Sequence, residues 1–315
     1  MKLLVTGGAG YIGSVVATQL LEAGHEVVVL DNLDTGHPDA VPDGATFVRA
    51  AIDEASDVLA DGIEAVLHFA AKSLVGESVT APEIYWRNNV VGSLGLLDAM
   101  RGTGVRRIVF SSTAATYGQP TQTPITEDTP AVPINPYGQS KLAVDHMLGG
   151  EAVAHGLAAV SLRYFNVGGA YGGRGERHVP ETHLIPNVLA VAAGEREQVA
   201  VFGTDYPTRD GTAVRDYLHV EDLGRAHLLA LEKAVAGEHL ICNLGTGTGY
   251  TVREVVETCR DVTGHEIPAV EQDRRPGDPP TLVASAERAH ERLGWQTEHG
   301  LRRIVQDAWA FMSSS

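Results

Sequence analysis

Three observations predict an α/β fold built around a doubly wound parallel sheet. Apolar runs of strand length alternate with stretches of helical periodicity over the first half of the chain. Gly7, Gly10 and Gly13 separate the first apolar run from a helical pattern. The second apolar run, Val27–Leu30, ends at Asp31. This combination is typical of a Rossmann-type sheet.

The predicted elements follow one another in a regular order. Strands are predicted at Lys2–Val5, Val27–Leu30, Thr46–Arg49, Glu64–Ala71, Arg106–Ser111 and Leu157–Phe165. Helices are predicted at Ile12–Leu20, Asp53–Asp61, Pro82–Met100 and Pro136–His155, and Thr116–Ile134 is predicted to be a loop. Pro136 suits the first turn of a helix, where its missing N–H costs no hydrogen bond. Alternation at this spacing favours right-handed crossovers between parallel strands.

The second half of the chain has a different character. Residues 167–178 are rich in glycine and lack periodicity, which indicates a domain boundary or a ligand-facing loop. Helices are then predicted at Leu184–Gly194, Glu221–Val235, Thr251–Thr263, Ala284–Leu293 and Leu301–Phe311, with short strands near Val199–Phe202 and Leu240–Asn243. We therefore predict a Rossmann domain over residues 1–166, joined by part of 213–245, and a smaller mixed α/β domain over 167–315.

Charge and cysteine content limit the possible partners. The chain of 315 residues has 24 Lys and Arg against 40 Asp and Glu, a formal net charge of -16, which argues against binding nucleic acid or an anionic membrane. Cys242 and Cys259 lack CxxC spacing, and neither a signal peptide nor a membrane-spanning apolar stretch is apparent. We expect a cytoplasmic protein with reduced thiols. His178 and Glu181 do not form a convincing metal motif, so no metal is expected.

The glycine-rich turn predicts a dinucleotide site. Glycine lets a pyrophosphate reach the bare backbone amides at a helix N-terminus. Asp31 follows the second strand, where a carboxylate accepts hydrogen bonds from the ribose hydroxyls of NAD. Ligands of an open parallel sheet bind outside the carboxyl ends of its strands, so Ala70–Lys72, Ser111–Thr113 and Asn166 should converge there.

Tyr137 and Lys141 lie four residues apart on a predicted helix, so their side chains share one face. A free tyrosine has a pKa near ~10 and is a weak base at neutral pH. A neighbouring ammonium group and the positive charge of NAD+ stabilise the phenolate and lower that pKa. Thr113, after the fifth strand, can hydrogen-bond the same substrate hydroxyl. We predict that these three residues form a proton-transfer site.

Short motifs of one family occur over nearly the whole chain. They are Gly7–Ser14, Leu30–Asn32, His68–Ala71, Val75–Ser78, Asn88–Val90, Phe110–Thr113, Pro136–Lys141, Leu162–Asn166, Phe202–Thr208, Asp210–Thr212, Val214–Tyr217, Asn243–Gly245 and Arg274–Asp278. With them the chain resembles the extended short-chain dehydrogenase/reductase family, and within it the 4-epimerases of UDP-sugars. The phosphate-loop and Tyr/Lys motifs identify only the superfamily, whereas the run from Phe202 to His219 is more specific.

The resemblance implies a tightly held, recycled NAD+ and the interconversion of UDP-galactose and UDP-glucose. Tyr137 would take the proton of the sugar 4-hydroxyl as hydride passes from C4 to the nicotinamide, and the keto sugar would turn before hydride returns. The implied cofactor-binding residues are Gly7, Gly10, Tyr11, Ile12, Gly13, Asp31, Asn32, Ile52, Phe69, Ala70, Ala71, Asn88, Ser111, Tyr137, Lys141 and Tyr164. The implied substrate-binding residues are Thr113, Phe165, Asn166, His183, Leu184, Phe202, Arg215, Arg275 and Asp278. The family also implies a homodimer through Pro82–Met100 and Pro136–His155.

Several positions differ from the family pattern. Ser73 aligns with a lysine that contacts the nicotinamide ribose, and Lys72 lies one place earlier. Ala51 replaces an aspartate near the adenine, and His183 replaces an asparagine of the UDP site. Leu282 aligns with a position whose size is associated with tolerance of N-acetylated sugars, so activity on such sugars stays open.

The resemblance leaves several alternatives. Sugar-nucleotide 4,6-dehydratases and UDP-glucuronate decarboxylases have acidic residues after the catalytic threonine, where this chain has Ala114 and Ala115. Methyl groups cannot transfer protons, so both activities are disfavoured. A 4-epimerase of UDP-N-acetylglucosamine, UDP-glucuronate or a UDP-pentose stays open. A non-catalytic NAD-sensing protein is disfavoured, because Thr113, Tyr137 and Lys141 occur together.

Overall fold

The structure is a computed structural model that describes residues 1–275 and 278–314, so Pro276 and Gly277 of the Arg274–Asp278 motif lie outside the described residues. The strands are β1 (Lys2–Thr6), β2 (Glu26–Asp31), β3 (Thr46–Arg49), β4 (Ala65–His68), β5 (Arg107–Thr113), β6 (Ala158–Tyr164), β7 (Asn166–Gly168), β8 (Ala170–Tyr171), β9 (Arg174–Gly175), β10 (Val199–Phe202), β11 (Val214–Arg215), β12 (Tyr217–His219), β13 (His239–Leu244), β14 (Tyr250–Thr251), β15 (Ala269–Gln272) and β16 (Thr281–Leu282). The helices are α1 (Tyr11–Glu22), α2 (Ser56–Ala60), α3 (Val75–Thr80), α4 (Pro82–Tyr85), α5 (Gly92–Thr103), α6 (Pro136–His155), α7 (Leu184–Ala192), α8 (Val220–Lys233), α9 (Val252–Thr263), α10 (Glu287–Leu293) and α11 (Leu301–Ser314).

Seven parallel strands form the large sheet, in the order β3-β2-β1-β4-β5-β6-β13. The chain runs outward from β1 to β3 and resumes on the other side of β1 at β4, which confirms the predicted doubly wound α/β fold. Because helices cover both faces, the inner strands are buried along most of their length, and β4 is buried at every position. The strand order reverses between β1 and β4, where sheets of this kind bind ligands.

Apolar side chains of β1 alternate between two cores on the two faces of the sheet. Leu3 and Val5 pack in a cluster with α1 and α8, whereas Leu4 packs with α5 and α6 on the opposite face. This alternation is the period-two pattern of a strand buried on both sides. Within residues 1–275 and 278–314, no helix is both long and apolar enough to cross a membrane.

β13 extends the large sheet beyond β6. Leu240 pairs with Val160, and Leu244 pairs with Tyr164, in parallel register. The strand lies within residues 213–245, the stretch that we expected to join the first domain. The large sheet is therefore built from chain segments on both sides of residues 167–238.

The remainder of the second half forms small sheets and a third apolar cluster. β11 pairs with β14 and β16, β10 with β15, β7 with β12, and β8 with β9. Helices α7, α9 and α11 bury Val188, Cys259 and Ile304 against one another. This cluster lies outside the two cores of the large sheet and supports the strands that extend toward the candidate site.

One predicted helix begins later than expected. The sequence predicts Ala284–Leu293, but α10 begins at Glu287. The backbone N–H of Ala284 donates to Asp216 Oδ2 at 3.1 Å, and that of Ser285 donates to Ile125 O at 2.8 Å. Ala284 forms a parallel β-bridge with Ile125, so the chain is still strand-like at this residue and the helix starts only after it.

We expect Trp295→Ala to lower the free energy of unfolding by about 3–5 kcal/mol. Trp295 is 1% exposed, packs with α8 and α10, and donates its Nε1–H to Asp222 O at 2.8 Å. The substitution leaves a cavity and removes that hydrogen bond. Urea denaturation followed by circular dichroism measures the loss. Val153→Ala, at a residue 87% exposed, is the control, and an equal effect of both substitutions would contradict this packing.

Candidate active site

A cavity of about 960 Å³ lies at the carboxyl edge of the large sheet. Every site residue predicted from the sequence lines it, except Leu184 and Phe202. Leu184 begins α7 directly after His183, and Phe202 ends β10. The first half of the chain forms one part of the wall and the second half forms the other, so the cavity joins the two predicted binding regions.

The glycine turn after β1 brings the start of α1 close to the strand. A Cβ atom on Gly13 would lie 2.2 Å from Gly7 O, and Gly7 itself has φ +73°, which favours glycine. Gly10 is the N-cap of α1, and no side chain caps that helix end. Backbone amides at this helix end therefore fit the pyrophosphate of a dinucleotide.

Asp31, at the end of β2, borders the glycine turn. Its Oδ2 accepts a hydrogen bond from Ala9 N at 3.0 Å, and its Oδ1 accepts one from Leu33 N at 2.8 Å. These bonds hold the carboxylate at the cavity wall, where ribose hydroxyls of NAD would meet it. Ala51 also lines the cavity, and the wall there includes the carboxylate of Asp53, which the sequence analysis did not assign.

Lys72 connects the loops that follow β2 and β4. Its ammonium group forms an ion pair with Asp34, and its backbone N–H donates to Asn89 Oδ1 at 2.8 Å. Asn89 Nδ2 donates in turn to Lys72 O at 3.0 Å and to Ser140 Oγ at 3.0 Å. Both Lys72 and Ser73 line the cavity, so each of the two residues weighed in the sequence analysis faces the cofactor region.

A π-helical turn at Trp86–Val91 joins α4 to α5 and forms part of the cavity wall. Arg87, Asn88 and Val91 line the cavity from this turn. Turns of this kind inside helices occur frequently at functional sites. Asn88 was predicted from the family motif, whereas Arg87 and Val91 were missed because a period of 3.6 residues does not reveal the wider turn.

Tyr137 and Lys141 occupy the first turns of α6, beside the end of β5. Asn135 caps the helix by accepting a hydrogen bond from Gly138 N at 2.8 Å, and Asn135 also lines the cavity. Lys141 is 3% exposed, and its Nζ donates to Ser111 O at 2.8 Å. The cap and this bond direct the face with Tyr137 and Lys141 toward β5, where Thr113 ends the strand.

Burial dominates the electrostatics of this group. It raises the pKa of Tyr137 above its usual value, while a hydrogen bond with Thr113 acts in the opposite direction. Burial also lowers the pKa of Lys141 to about 7, although the negative charge of Asp145 acts to raise it. The sequence predicted a lowered pKa for Tyr137, but the structure raises it. In the protein without cofactor, desolvation of the phenolate has a larger effect on this pKa than the hydrogen bond with Thr113. The positive nicotinamide of NAD+ would oppose that desolvation.

Asp145 lies one turn beyond Lys141 on α6 and is 2% exposed. Its Oδ2 accepts hydrogen bonds from Arg163 Nη2 at 2.8 Å and from Ser112 Oγ at 3.2 Å. The ion pair with Arg163, itself 4% exposed, ties α6 to β5 and β6 at the level of the site. Asp145 was not singled out from the sequence, although its i,i+4 spacing from Lys141 is a visible signal.

Two arginines lie in the part of the wall contributed by the second half of the chain. Arg215 Nη1 donates to Pro279 O at 3.0 Å, and its Nη2 lies 3.5 Å from Asp278 Oδ1. The guanidinium of Arg275 lies 3.9 Å from the centroid of the Phe202 ring. Phe202 thus acts on the cavity through Arg275 rather than by lining it. Such guanidinium groups make charge-assisted contacts with phosphates.

Four side chains of the loop between β9 and α7 come together: Glu176, His178, Glu181 and His183. Burial opposes ionisation of Glu176, but hydrogen bonds with His178 and His183 hold its pKa at about 2. Burial likewise lowers the pKa of His183, yet bonds with Glu176 and Glu181 raise it to about 10. Glu176 was missed in the sequence analysis, because its partners lie at irregular spacings along a loop.

The sequence profile of the NAD dependent epimerase/dehydratase family matches residues 3–245, more than half of the chain. The chain belongs to this family. It is 59% identical over 317 residues to the UDP-glucose 4-epimerase of Corynebacterium glutamicum, covering 100% of this chain and 96% of that relative. It is 60% identical over 319 residues to the UDP-glucose 4-epimerase of Streptomyces lividans, covering 99% of this chain and 96% of that one.

A solved structure extends the likeness to the whole fold. The UDP-glucose 4-epimerase from Bifidobacterium longum, in complex with NAD+ and UDP, matches with a TM-score of 0.93 and 37% identity, covering 100% of this chain and 99% of that chain. Together with the full-length relatives, it confirms the family resemblance drawn from the motifs.

We expect Asp145→Asn to lower the pKa of Lys141 below its value of about 7, because the variant removes the negative charge that favours the ammonium form. Lys141 then loses its proton at lower pH. The ¹³Cε NMR shift of Lys141, titrated in the protein freed of dinucleotide, measures the change. The matched control is Glu151→Gln on the same helix, where Glu151 pairs with Arg101. A titration of Lys141 unchanged by Asp145→Asn would contradict the prediction.

Proposed function

We propose that this chain interconverts UDP-galactose and UDP-glucose as an NAD-dependent UDP-glucose 4-epimerase. One observation supports the proposal above the others: the cavity is lined at once by the glycine turn, by Thr113, Tyr137 and Lys141, and by Arg215 and Arg275. A dinucleotide site, a proton-transfer group and a diphosphate site are what this reaction requires. The full-length relatives named above act as UDP-glucose 4-epimerases.

The residues divide the chemistry among them. Bound NAD+ supplies a hydride acceptor at the sugar C4. The Tyr137 oxygen accepts the proton of the sugar 4-hydroxyl, and Thr113, which hydrogen-bonds Tyr137, positions that hydroxyl. Lys141, one helical turn from Tyr137 and bonded to Ser111 O, supplies positive charge to the site when it is protonated. A buried site keeps water from this proton transfer.

Firm anchorage of the nucleotide lets the sugar move. Arg215 and Arg275 would hold the diphosphate, with Arg275 stacked on Phe202 and Arg215 fixed by Pro279 O and Asp278. The sugar end of the site is then free to present either face of C4. A chain with net charge -16 needs such placed guanidinium groups to hold a dianionic diphosphate.

The chain lacks the acidic side chains that the two alternative activities, dehydration and decarboxylation, require next to the threonine. Ala114 and Ala115 follow Thr113 and line the cavity, so methyl groups occupy the places where those enzymes have acids. A purely NAD-sensing role would not require Thr113, Tyr137 and Lys141 at one cavity wall.

We extend the proposal to assembly and location. A homodimer through the helical segments Pro82–Met100 and Pro136–His155 is supported by Leu94, an apolar side chain that is 45% exposed. Leu97, in the same helix, is 2% exposed and belongs to the core. Cys242 and Cys259 are free thiols, which fits a reducing compartment, the cytoplasm.

We expect Tyr137→Phe to reduce turnover of UDP-galactose by about 10²–10⁴-fold with UDP-sugar binding retained, because only the phenolic oxygen is removed. Proton NMR of UDP-galactose incubated with the purified protein, without added NAD+, measures turnover, and calorimetry with UDP measures binding. The control is Tyr171→Phe, since that hydroxyl donates to Glu22 and lies outside the cavity. Turnover unchanged in Tyr137→Phe would remove Tyr137 from its role. A wild-type protein inactive on UDP-galactose, with and without NAD+, would overturn the proposed substrate.

We expect the size of residue 282 to set the preference between UDP-galactose and UDP-N-acetylgalactosamine, because Leu282 lines the cavity. Leu282→Ala should raise the ratio of kcat/KM for the N-acetylated sugar by about tenfold, and Leu282→Tyr should lower it. Parallel NMR assays of both substrates give the ratio. The two substitutions act as mutual controls, and a ratio that moves the same way in both would contradict a steric role.

A further inference from the structure

The loop between β9 and α7 gathers four potential metal ligands. Glu176, His178, Glu181 and His183 each present one donor atom, and these atoms all lie within 4.8 Å of one another. The four side chains belong to eight consecutive residues, 176–183. Three of them also line the cavity: Glu176, His178 and His183.

Hydrogen bonding alone leaves this cluster incompletely satisfied. Glu176 Oε1 lies 2.8 Å from His178 Nδ1 and 2.7 Å from His183 Nδ1, so both imidazoles turn the same nitrogen to one oxygen. Glu176 Oε2 is buried without a hydrogen-bond partner among the described residues, in a side chain only 8% exposed. Most buried acceptors in proteins have a partner, and an ion is one partner that can fill the place left at Oε2.

The donor set fits one class of cation. Two imidazole nitrogens and two carboxylate oxygens are ligands of Zn²⁺, which takes four ligands tetrahedrally. Ligand atoms at about 2.1 Å from zinc lie about 3.4 Å apart. The three contacts of 2.7–2.9 Å among these donors would widen by about 0.5–0.7 Å. The other donor pairs already lie within 4.8 Å of one another. We propose that Glu176, His178, Glu181 and His183 form a Zn²⁺ site.

At this position the cation would stabilise the loop between β9 and α7. Arg177, inside the loop, pairs with Asp39 at 2.8 Å, and Arg174, just before it, donates Nε–H to Ala40 O at 2.8 Å. The loop therefore already packs against the segment that follows β2. A cation at the cluster ties both ends of the loop to each other. It also neutralises two carboxylates, one of which, Glu176, lies in the wall of a cavity proposed to take anions.

A second cluster on the same chain provides a contrast. His219, Glu221 and His299 also have donor atoms close together. There His219 Nε2 bonds Asp307 Oδ2 at 3.0 Å, and its Nδ1 accepts from Glu221 N at 3.0 Å. Both ring nitrogens of His219 are thus used within the protein, so this cluster offers no comparable opening for a cation.

Zinc uptake by the full-length protein tests the proposal independently of enzymatic activity. The protein is treated with chelator, dialysed and titrated with ZnCl₂ against a competing chromophoric chelator. We expect one equivalent of Zn²⁺ per chain, and with CoCl₂ the visible absorption bands of tetrahedral Co²⁺. His178→Gln and Glu181→Gln should weaken Zn²⁺ binding by at least about 10–100-fold. His299→Gln, in the second cluster, should bind as the wild type does.

Two results would overturn the site. Wild-type protein that takes up no Zn²⁺ would show that the cluster is an ion-pair network only. This result does not depend on whether any variant folds. Stoichiometric Zn²⁺ uptake that persists in both His178→Gln and Glu181→Gln would place the metal elsewhere. Because Zn²⁺ uptake is measured without UDP-sugar, the result can be interpreted even if the proposed epimerase activity is not found.

Discussion

The close approach of α1 to β1 at the glycine turn is the constraint on which the site depends. A Cβ atom on Gly13 would lie 2.2 Å from Gly7 O, and one on Gly7 would lie 2.5 Å from Ala70 N. Since β1 lies between β2 and β4, the turn contacts the ends of both neighbouring strands. Asp31 and Ala70 therefore take their positions relative to the helix end, and the cofactor half of the cavity follows from that packing.

The part of the cavity around Tyr137 is held together by buried charged side chains, whose desolvation is unfavourable. Lys141, Asp145 and Arg163 are between 2% and 4% exposed, yet all three come from neighbouring turns or strands. Removing one member of such a buried pair is far more damaging than exchanging both for apolar groups, because the remaining charge stays desolvated. These contacts therefore fix the position of α6 relative to β5 and β6. They also give Lys141 a negatively charged neighbour.

Features with a local signal were predictable, and features made by distant contacts were not. The glycine turn and the Tyr137–Lys141 pair have fixed spacings, so the sheet and this part of the cavity wall could be predicted from the residues themselves. The cavity-lining residues of the second half were predicted only through the family resemblance. The predicted start of α10 was wrong, because Ala284 forms a β-bridge with Ile125, which is distant in the sequence. Glu176 and Arg87 were missed since a loop and a π turn, rather than a periodic element, bring them to the cavity.

The place of β13 in the sheet has a consequence for how the chain is made. β6 is complete at Tyr164, but its outer edge pairs only with residues 239–244. A ribosome must therefore synthesise the whole intervening segment before the large sheet can close. Until then β6 presents an unpaired parallel edge, the kind of surface that promotes association between nascent chains. A fragment ending near residue 166 would keep that edge exposed, because it lacks the strand that covers β6 in the complete fold.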